Sequence, residues 1–462
     1  GTSAIRCNLF DGGRGIVSSA SSPWTFIQEL DVPELARAID PGQVWLGITD
    51  AVRRCLQGRP VLAVTVTSQR QALAFLDDDG LELYVGPNID LRAVFEGAVI
   101  DEEHGQAFYA ATGHSPSFMM ASGKLRWFQI HRPNVYAKIS TVFSMADWLC
   151  WKLSGSISAE RTLAAESGLL DLATKSWATG LYDDLGLPIN PLRLIDSGDI
   201  AGEVSAHSAV QTGLPVGVPV IAAGADTQCG LLGLGVSCAE QIGVIAGWSA
   251  PTQMVTSYPV VAPNGATWTG LHIMADTWVL ESGAGDMGNA YHWLNETLIG
   301  GGSESYGEMD ELATHVPLGS HGARAFLGPW RMDVTRLGMR QGGIQFPVPL
   351  TMGDFGRGHL TRAVLEGFAF AIRANVEQLE KISGQRSESI AVGGGMIQSS
   401  AFVDILVDVL GRPIRRGTDH RSTTVGAALC AKLALGEHCS LDDAMSSLRP
   451  FGEELEPDPV KG

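Results

Sequence analysis

The chain runs to 462 residues with a formal net charge of -18, 45% hydrophobic residues and a mean hydropathy of +0.10. That length exceeds one ordinary core and predicts two domains. The acidic balance argues against nucleic acid and anionic membrane surfaces as partners, while small anionic ligands stay open to a few arginines and helix N-termini. No uncharged apolar stretch of about 18 residues occurs, so no membrane span is expected. Seven scattered cysteines without a CxxC pair predict reduced thiols in a cytoplasmic protein.

In chain order, residues 3–10 alternate, Asp11-Gly12-Gly13 follows, and 15–21 extend again, which reads as a β-hairpin. A helix with Val44, Ile48, Val52, Cys55 and Leu56 on one face comes next. The strand Val61 to Val66 then runs into Ser68-Gln69-Arg70. Helices fill much of 115–153, and 186–220 is rich in Pro and Gly turns. The apolar run Val218 to Ala223 reads as a buried strand ending at Gly224-Ala225-Asp226, with a helix after it.

A second cycle follows. Gln241 to Ala246 is a strand, Gly247-Trp248-Ser249 a turn and Pro251 to Val255 a return strand. A long helix spans roughly 358–382. The strand Ser389 to Val392 meets Gly393-Gly394-Gly395-Met396, a helix covers Ala401 to Leu410, and the last helix covers about 424–435. The charged, Pro-rich tail from Glu453 to Pro459 is expected to be exposed. The chain thus reads as two α/β halves, 1–236 and 237–462.

Walker A, HExxH and paired Cys/His spacings are absent, which removes P-loop and zinc-site chemistry. Gly283 to Gly288 fits GxGxxG, but 299–312 offers no second strand with the acidic residue a dinucleotide fold needs, so a tight turn at a helix start is expected. Three glycines at 393–395 let a backbone pass close to a flat or anionic ligand, or else mark a crowded strand–helix turn. Ser68-Gln69-Arg70 alone reads as a solvated loop, and Asp90 with Arg92 as a local ion pair. Asp226, at the carboxyl end of a strand, serves equally as general base, metal ligand or helix cap.

The set taken together resembles the FGGY carbohydrate kinases, on the two-domain actin-like ATPase (ribonuclease H-like) α/β fold with a central cleft. GTSAIRCNLFD (1–11) and GVIAGWSA (243–250) are similar to the family's two phosphate hairpins. NIDLR (88–92), KLRW (124–127), ADWLCWKLSG (146–155), ESGLLDLATKSW (166–177), GADTQCGLLGLG (224–235), ESGAGDMGNAYHWL (281–294), RAVLEGFAFAIR (362–373) and the stretch 392–414 follow in the family's order.

The resemblance implies transfer of the γ-phosphoryl of ATP, with Mg2+, to a small sugar or polyol, a ketopentose leading. It implies Asp226 as general base and Gln69, Arg70 and Asp90 as substrate contacts. Thr2, Ser3, Arg6, Gly247, Trp248, Ser249, Gly328, Gly394, Gly395, Met396 and Ser399 would hold the nucleotide. Substrate would bind the first half and nucleotide the second, and closure would exclude water. It admits a homodimer.

Departures accompany the likeness. The family's first motif is D-x-G-T, and its Asp helps to hold Mg2+; this sequence begins at the Gly, which reads as a trimmed chain. Trp248 stands where Thr or Ser is usual, Asp404 replaces a Gln, and 328–347 lacks the PYxxGER-type stretch. The Met-His of xylulokinases near Ser68-Gln69 and the Glu that glycerol kinases carry after QR (here Gln71) are both missing. A silent sugar or nucleotide binder on the same fold is the alternative, and an actin-like chaperone or filament ATPase the third reading.

Overall fold

The computed structural model describes residues 4–27, 29, 32, 34–302, 305–336, 340–348, 355–418, 421–447 and 451–459. The chain forms two compact units. The first gathers Gly1–Cys229, Thr269–Ala275 and Thr423–Ser447; the second gathers Gly230–Trp268, Asp276–Ser422 and Leu448–Gly462.

The first unit opens with the expected hairpin. Ala4–Asp11 pairs antiparallel with Gly15–Pro23, and a bulge falls between Leu9 and Phe10. The helix Pro41–Leu56 is capped by Asp40, whose side chain accepts from the Gln43 N–H, and Pro41 sits in its first turn, where a missing N–H costs nothing. The strand Val64–Ser68 runs parallel to Pro219–Ala225, which pairs antiparallel with Ile200–Glu203 on its other side. Helix Met145–Ser154 starts on a Ser144 cap: its hydroxyl receives the Asp147 N–H at 3.1 Å and itself donates to the Asp147 carboxylate at 2.7 Å. Gly155 in the left-handed region ends it. Val66, Ala222, Trp148, Leu163 and Val220 belong to one buried apolar cluster that fixes these strands and helices together.

The second unit is built on a sheet in which Trp278–Glu281, Thr252–Thr256, Ile242–Ile245, Ile390–Gly393, Ile414–Gly417 and Phe451–Leu455 lie side by side in that order. Ile242–Ile245, Ile390–Gly393 and Ile414–Gly417 are parallel; the rest are antiparallel to their neighbours. Of these, Ile242–Ile245 and Ile390–Gly393 are apolar runs buried along almost their whole length, as central strands covered on both faces must be. The long helix Arg357–Ser383 and the helix Ser400–Leu410 pack on this sheet through Phe368, Ile372, Phe402 and Leu406.

One chain-end expectation is corrected: Ser422–Ala434 is followed by a further short helix, Leu441–Ser446. The acidic tail is exposed at Glu453, Glu454 and Glu456 as expected, and it is also paired: Phe451–Leu455 closes the sheet edge, with Glu454 opposite Arg415 and Glu453 opposite Arg416. Opposite charges across the ladder outweigh the poor strand propensity of glutamate. No helix among the described residues is long and apolar enough to cross a membrane.

Candidate active site

Two places in the fold collect the chemistry-bearing residues, one in each unit. In the first unit the decisive fact is register. Ala225 pairs with Ser68 and Gly224 with Thr67, so two parallel strands end side by side. Gln69-Arg70 and Asp226 therefore leave the same carboxyl edge, where open α/β sheets bind ligands. Asp226 is the first residue of the helix Asp226–Gly233, and its backbone carbonyl accepts from the Thr423 hydroxyl at 3.0 Å.

The approach to Asp226 is made by glycine. Gly224 has φ +93°, and a Cβ there would stand 2.6 Å from Ser197 Oγ and 2.9 Å from Thr162 Oγ1. Those hydroxyls have work of their own: Thr162 receives the Ala225 N–H at 3.0 Å, and both donate to Glu160 at 2.7 Å. The bulge between Ala222 and Gly224 thus rests on a polar floor under the strand end.

Gln69 is only 3% exposed, yet neither atom of its amide has a hydrogen-bond partner among the described residues. A buried amide without partners is costly, and a ligand hydroxyl or carbonyl would satisfy it. Arg70 places Nη1 3.1 Å from Glu166 Oε2. The same oxygen lies 3.2 Å from His114 Nε2, and Gln228 Nε2 donates to Glu166 Oε1 at 2.6 Å. Gln71 donates to the Glu166 carbonyl at 3.1 Å. His114 is fully buried, with Nδ1 2.8 Å from the Thr112 carbonyl that accepts from it.

Burial alone would push the Glu166 carboxyl up; Arg70, then His114 and the Gln228 amide, pull it down to about 2. Burial raises Asp226 above the ordinary carboxylate range. Arg70 opposes that rise and Glu166 adds to it. Glu166, His114 and Gln228 were not singled out from the sequence. Only the ESGLLDL and GADTQCG motifs, which contain two of them, pointed to the region.

Asp90 is not with these residues. It is fully buried, accepting from Arg92 Nε at 2.7 Å, Tyr84 Oη at 2.6 Å and the backbone N–H groups of Arg37 and Arg92 at 3.1 Å. Arg92 in turn reaches Glu29 and stacks on Tyr84 and Trp127. The structure gives the pair as the local ion pair that its spacing suggested, inside the fold. Arg6 lies exposed on the first hairpin; Thr2 and Ser3 fall outside the described residues.

In the second unit, Ile242–Ile245 and Ile390–Gly393 are parallel neighbours, so Gly247-Trp248-Ser249 and Gly393-Gly394-Gly395 also leave one carboxyl edge. Gly394 has φ +91°, and a Cβ there would stand 2.5 Å from the Ala246 carbonyl oxygen. That carbonyl accepts from the Met396 N–H at 2.9 Å. Gly395 faces open space where a side chain would stand. The Gly288 N–H donates to the Trp248 carbonyl at 3.0 Å, and a Cβ on Gly328 would meet the Asp286 carbonyl at 3.0 Å. The GxGxxG stretch is therefore the tight turn ahead of helix Met287–Leu298. Trp248 and Ser249 are exposed and Met396 is buried. The Ser399 hydroxyl caps helix Ser400–Leu410, receiving the Phe402 N–H at 3.1 Å and donating to Asp310.

Family models for the FGGY carbohydrate kinases match this chain along most of its length, the N-terminal domain over residues 1–233 and the C-terminal domain over 244–435. The chain belongs to the FGGY family of carbohydrate kinases. It is therefore a phosphotransferase with an alcohol group as acceptor, acting on a small carbohydrate. An autoinducer-2 kinase of Salmonella paratyphi A is 28% identical over 99% of this chain and 89% of its own length. The xylulose kinase of Rhodospirillum rubrum superposes with a TM-score of 0.83 at 26% identity, covering 100% of this chain and 93% of that one. The gluconate kinase of Lactobacillus acidophilus shares the fold with a TM-score of 0.86 at 19% identity, covering 100% and 92%. The two-domain actin-like ATPase fold of such kinases is the fold of this chain, and kinases of this family use ATP.

Proposed function

We propose that this kinase transfers the γ-phosphoryl of ATP to a hydroxyl of a small ketose or polyol, a pentulose leading, with Asp226 as general base. The observation that carries the reading is the Ala225–Ser68 register, which delivers Asp226, Gln69 and Arg70 to one sheet edge. The acceptor hydroxyl gives its proton to the Asp226 carboxylate. Its oxygen bonds to the γ-phosphorus as the bond to the bridging oxygen breaks, and ADP leaves. Gln69 and Arg70 would hold the acceptor's remaining oxygens, so that attack starts from a fixed geometry.

The nucleotide would lie on the second unit, along Gly247-Trp248-Ser249, Gly328, Gly394, Gly395, Met396 and Ser399. Open space at Gly395, where a side chain would otherwise stand, leaves room for a flat group. Among the described residues no cluster of three His, Cys, Asp or Glu side chains is placed to hold a metal by itself. A kinase Mg2+ takes one or two carboxylates and otherwise phosphates and water, so a single Asp226 is compatible with it. When bound, it would neutralise charge on the phosphates.

Asp226→Asn should lower turnover by about 10²- to 10⁴-fold with an unchanged melting temperature. Normal phosphorylation by the folded variant would remove Asp226 from the role of base. A second reading, autoinducer-2 as acceptor, is favoured by the relative that is 28% identical over 99% of the chain. The order of kcat/KM across xylulose, autoinducer-2 and glycerol decides between the two acceptors.

A further inference from the structure

Glu166 occupies an unusual place for a carboxylate. It is almost fully buried, it is held by Arg70, His114 and Gln228, and it stands within electrostatic reach of the proposed base. An arginine recognises an acceptor's carboxylate best when its guanidinium is available to pair with it. Here Arg70 is opposed at 3.1 Å, and a second carboxylate, Asp226, adds to the negative side. Gln69, next to Arg70 in the chain, is 3% exposed, and its neutral amide has no hydrogen-bond partner among the described residues. An amide that both donates and accepts is satisfied on both sides by hydroxyls, which do the same, whereas a carboxylate, which only accepts, would leave the amide oxygen unpaired.

We infer that Glu166 is a specificity-determining, positioning residue: by holding and neutralising Arg70 it restricts the acceptor to uncharged ketoses and polyols and excludes sugar acids. The inference rests on the assignment of Gln69 and Arg70 to the acceptor, and it names the acceptor's charge class. Glu166 touches no reacting atom; it acts through Arg70. A sugar acid bound here would set its carboxylate against Glu166 and Asp226 with a guanidinium already engaged, and like charges brought together in a partly buried site are strongly disfavoured. Removing the Glu166 charge while keeping its shape takes away the carboxylate set against Arg70, which favours pairing of that guanidinium with an acceptor carboxylate.

The test compares the wild-type chain with Glu166→Gln. Binding of xylulose, glycerol and gluconate is read by ligand-induced thermal shift without nucleotide, and kcat/KM is measured with ATP. The wild type should prefer the neutral acceptors. Glu166→Gln should move the neutral-to-gluconate ratio toward gluconate by about tenfold or more, mainly through KM. A folded Glu166→Gln protein with an unchanged ratio overturns the inference. So does wild-type binding of gluconate as tight as that of the neutral acceptors, a result that needs no variant to fold. So does the failure of every neutral acceptor to bind. The general-base assignment fails separately, through normal turnover of the neutral acceptors by the folded Asp226→Asn protein.

Discussion

Arg70 and Glu166 act on Asp226 with opposite sign. Burial raises its pKa most, Arg70 pulls it down and Glu166 pushes it up. A base must be deprotonated to act, so the acid limb of kcat/KM reports this carboxylate. Arg70→Gln removes the opposing cation and should move that limb to higher pH. Glu166→Gln removes a like charge and should move it lower. Profiles that shift in the same direction for both variants would show that the limb belongs to another group. The strand-end position of Asp226 was legible in the sequence because it closes an apolar run, whereas Gln69-Arg70 read alone as a solvated loop and were linked to the acceptor only by the family resemblance. Glu166 and His114 carry no such mark. Glu166 lies 96 positions from Arg70 and 52 from His114, and only folding brings the three side chains into one cluster.

At the scale of elements, the strand Pro219–Ala225 is a delivery device with one obligatory residue. Gly224 combines a left-handed φ with two hydroxyls that a Cβ would strike. Gly224→Ala should destabilise the first unit by about 1–3 kcal/mol, read by denaturant unfolding. It should also reduce turnover beyond the loss of folded protein, because Asp226 follows two residues later. Stability within about 0.5 kcal/mol of wild type would show that the bulge relaxes freely. Most elements could be read from pattern alone. The hairpins, the buried strands before Asp226 and Gly393, and the helix Arg357–Ser383 have strong periodicity and glycine punctuation. The strand Phe451–Leu455 could not: its glutamates look like a solvated tail until Arg415 and Arg416 stand across from them.

The whole molecule holds buried carboxylates with opposite responses to pH. Burial pushes Asp147 up to about 7 from 3.8, so the folded chain keeps a proton that the unfolded chain loses. Its contribution is complete below about pH 4 and is lost as pH rises toward 7. Glu166 is held down at about 2 from 4.5, so its contribution is complete above about pH 4.5 and is lost as pH falls toward 2. Each such proton tilts stability by about 1.4 kcal/mol per pH unit within its window. Asp147→Asn should therefore flatten the decline in melting temperature between pH 4 and 7 and leave the acid side unchanged. A decline as steep as in the wild type would show that Asp147 is charged in the folded state.

The amino-acid sequence by itself determined the kind of machine: order of motifs, two α/β halves, and the polar residues that end buried strands. These are local properties, set by periodicity, glycine and the need to bury apolar side chains. Tertiary structure alone decided which charges answer one another. It placed Asp90 with Arg92 inside the fold and set Glu166 against Arg70. It also left the buried Gln69 amide without a hydrogen-bond partner among the described residues. Electrostatic pairing depends on distances of a few ångströms between segments far apart in the chain, and no local pattern encodes those distances.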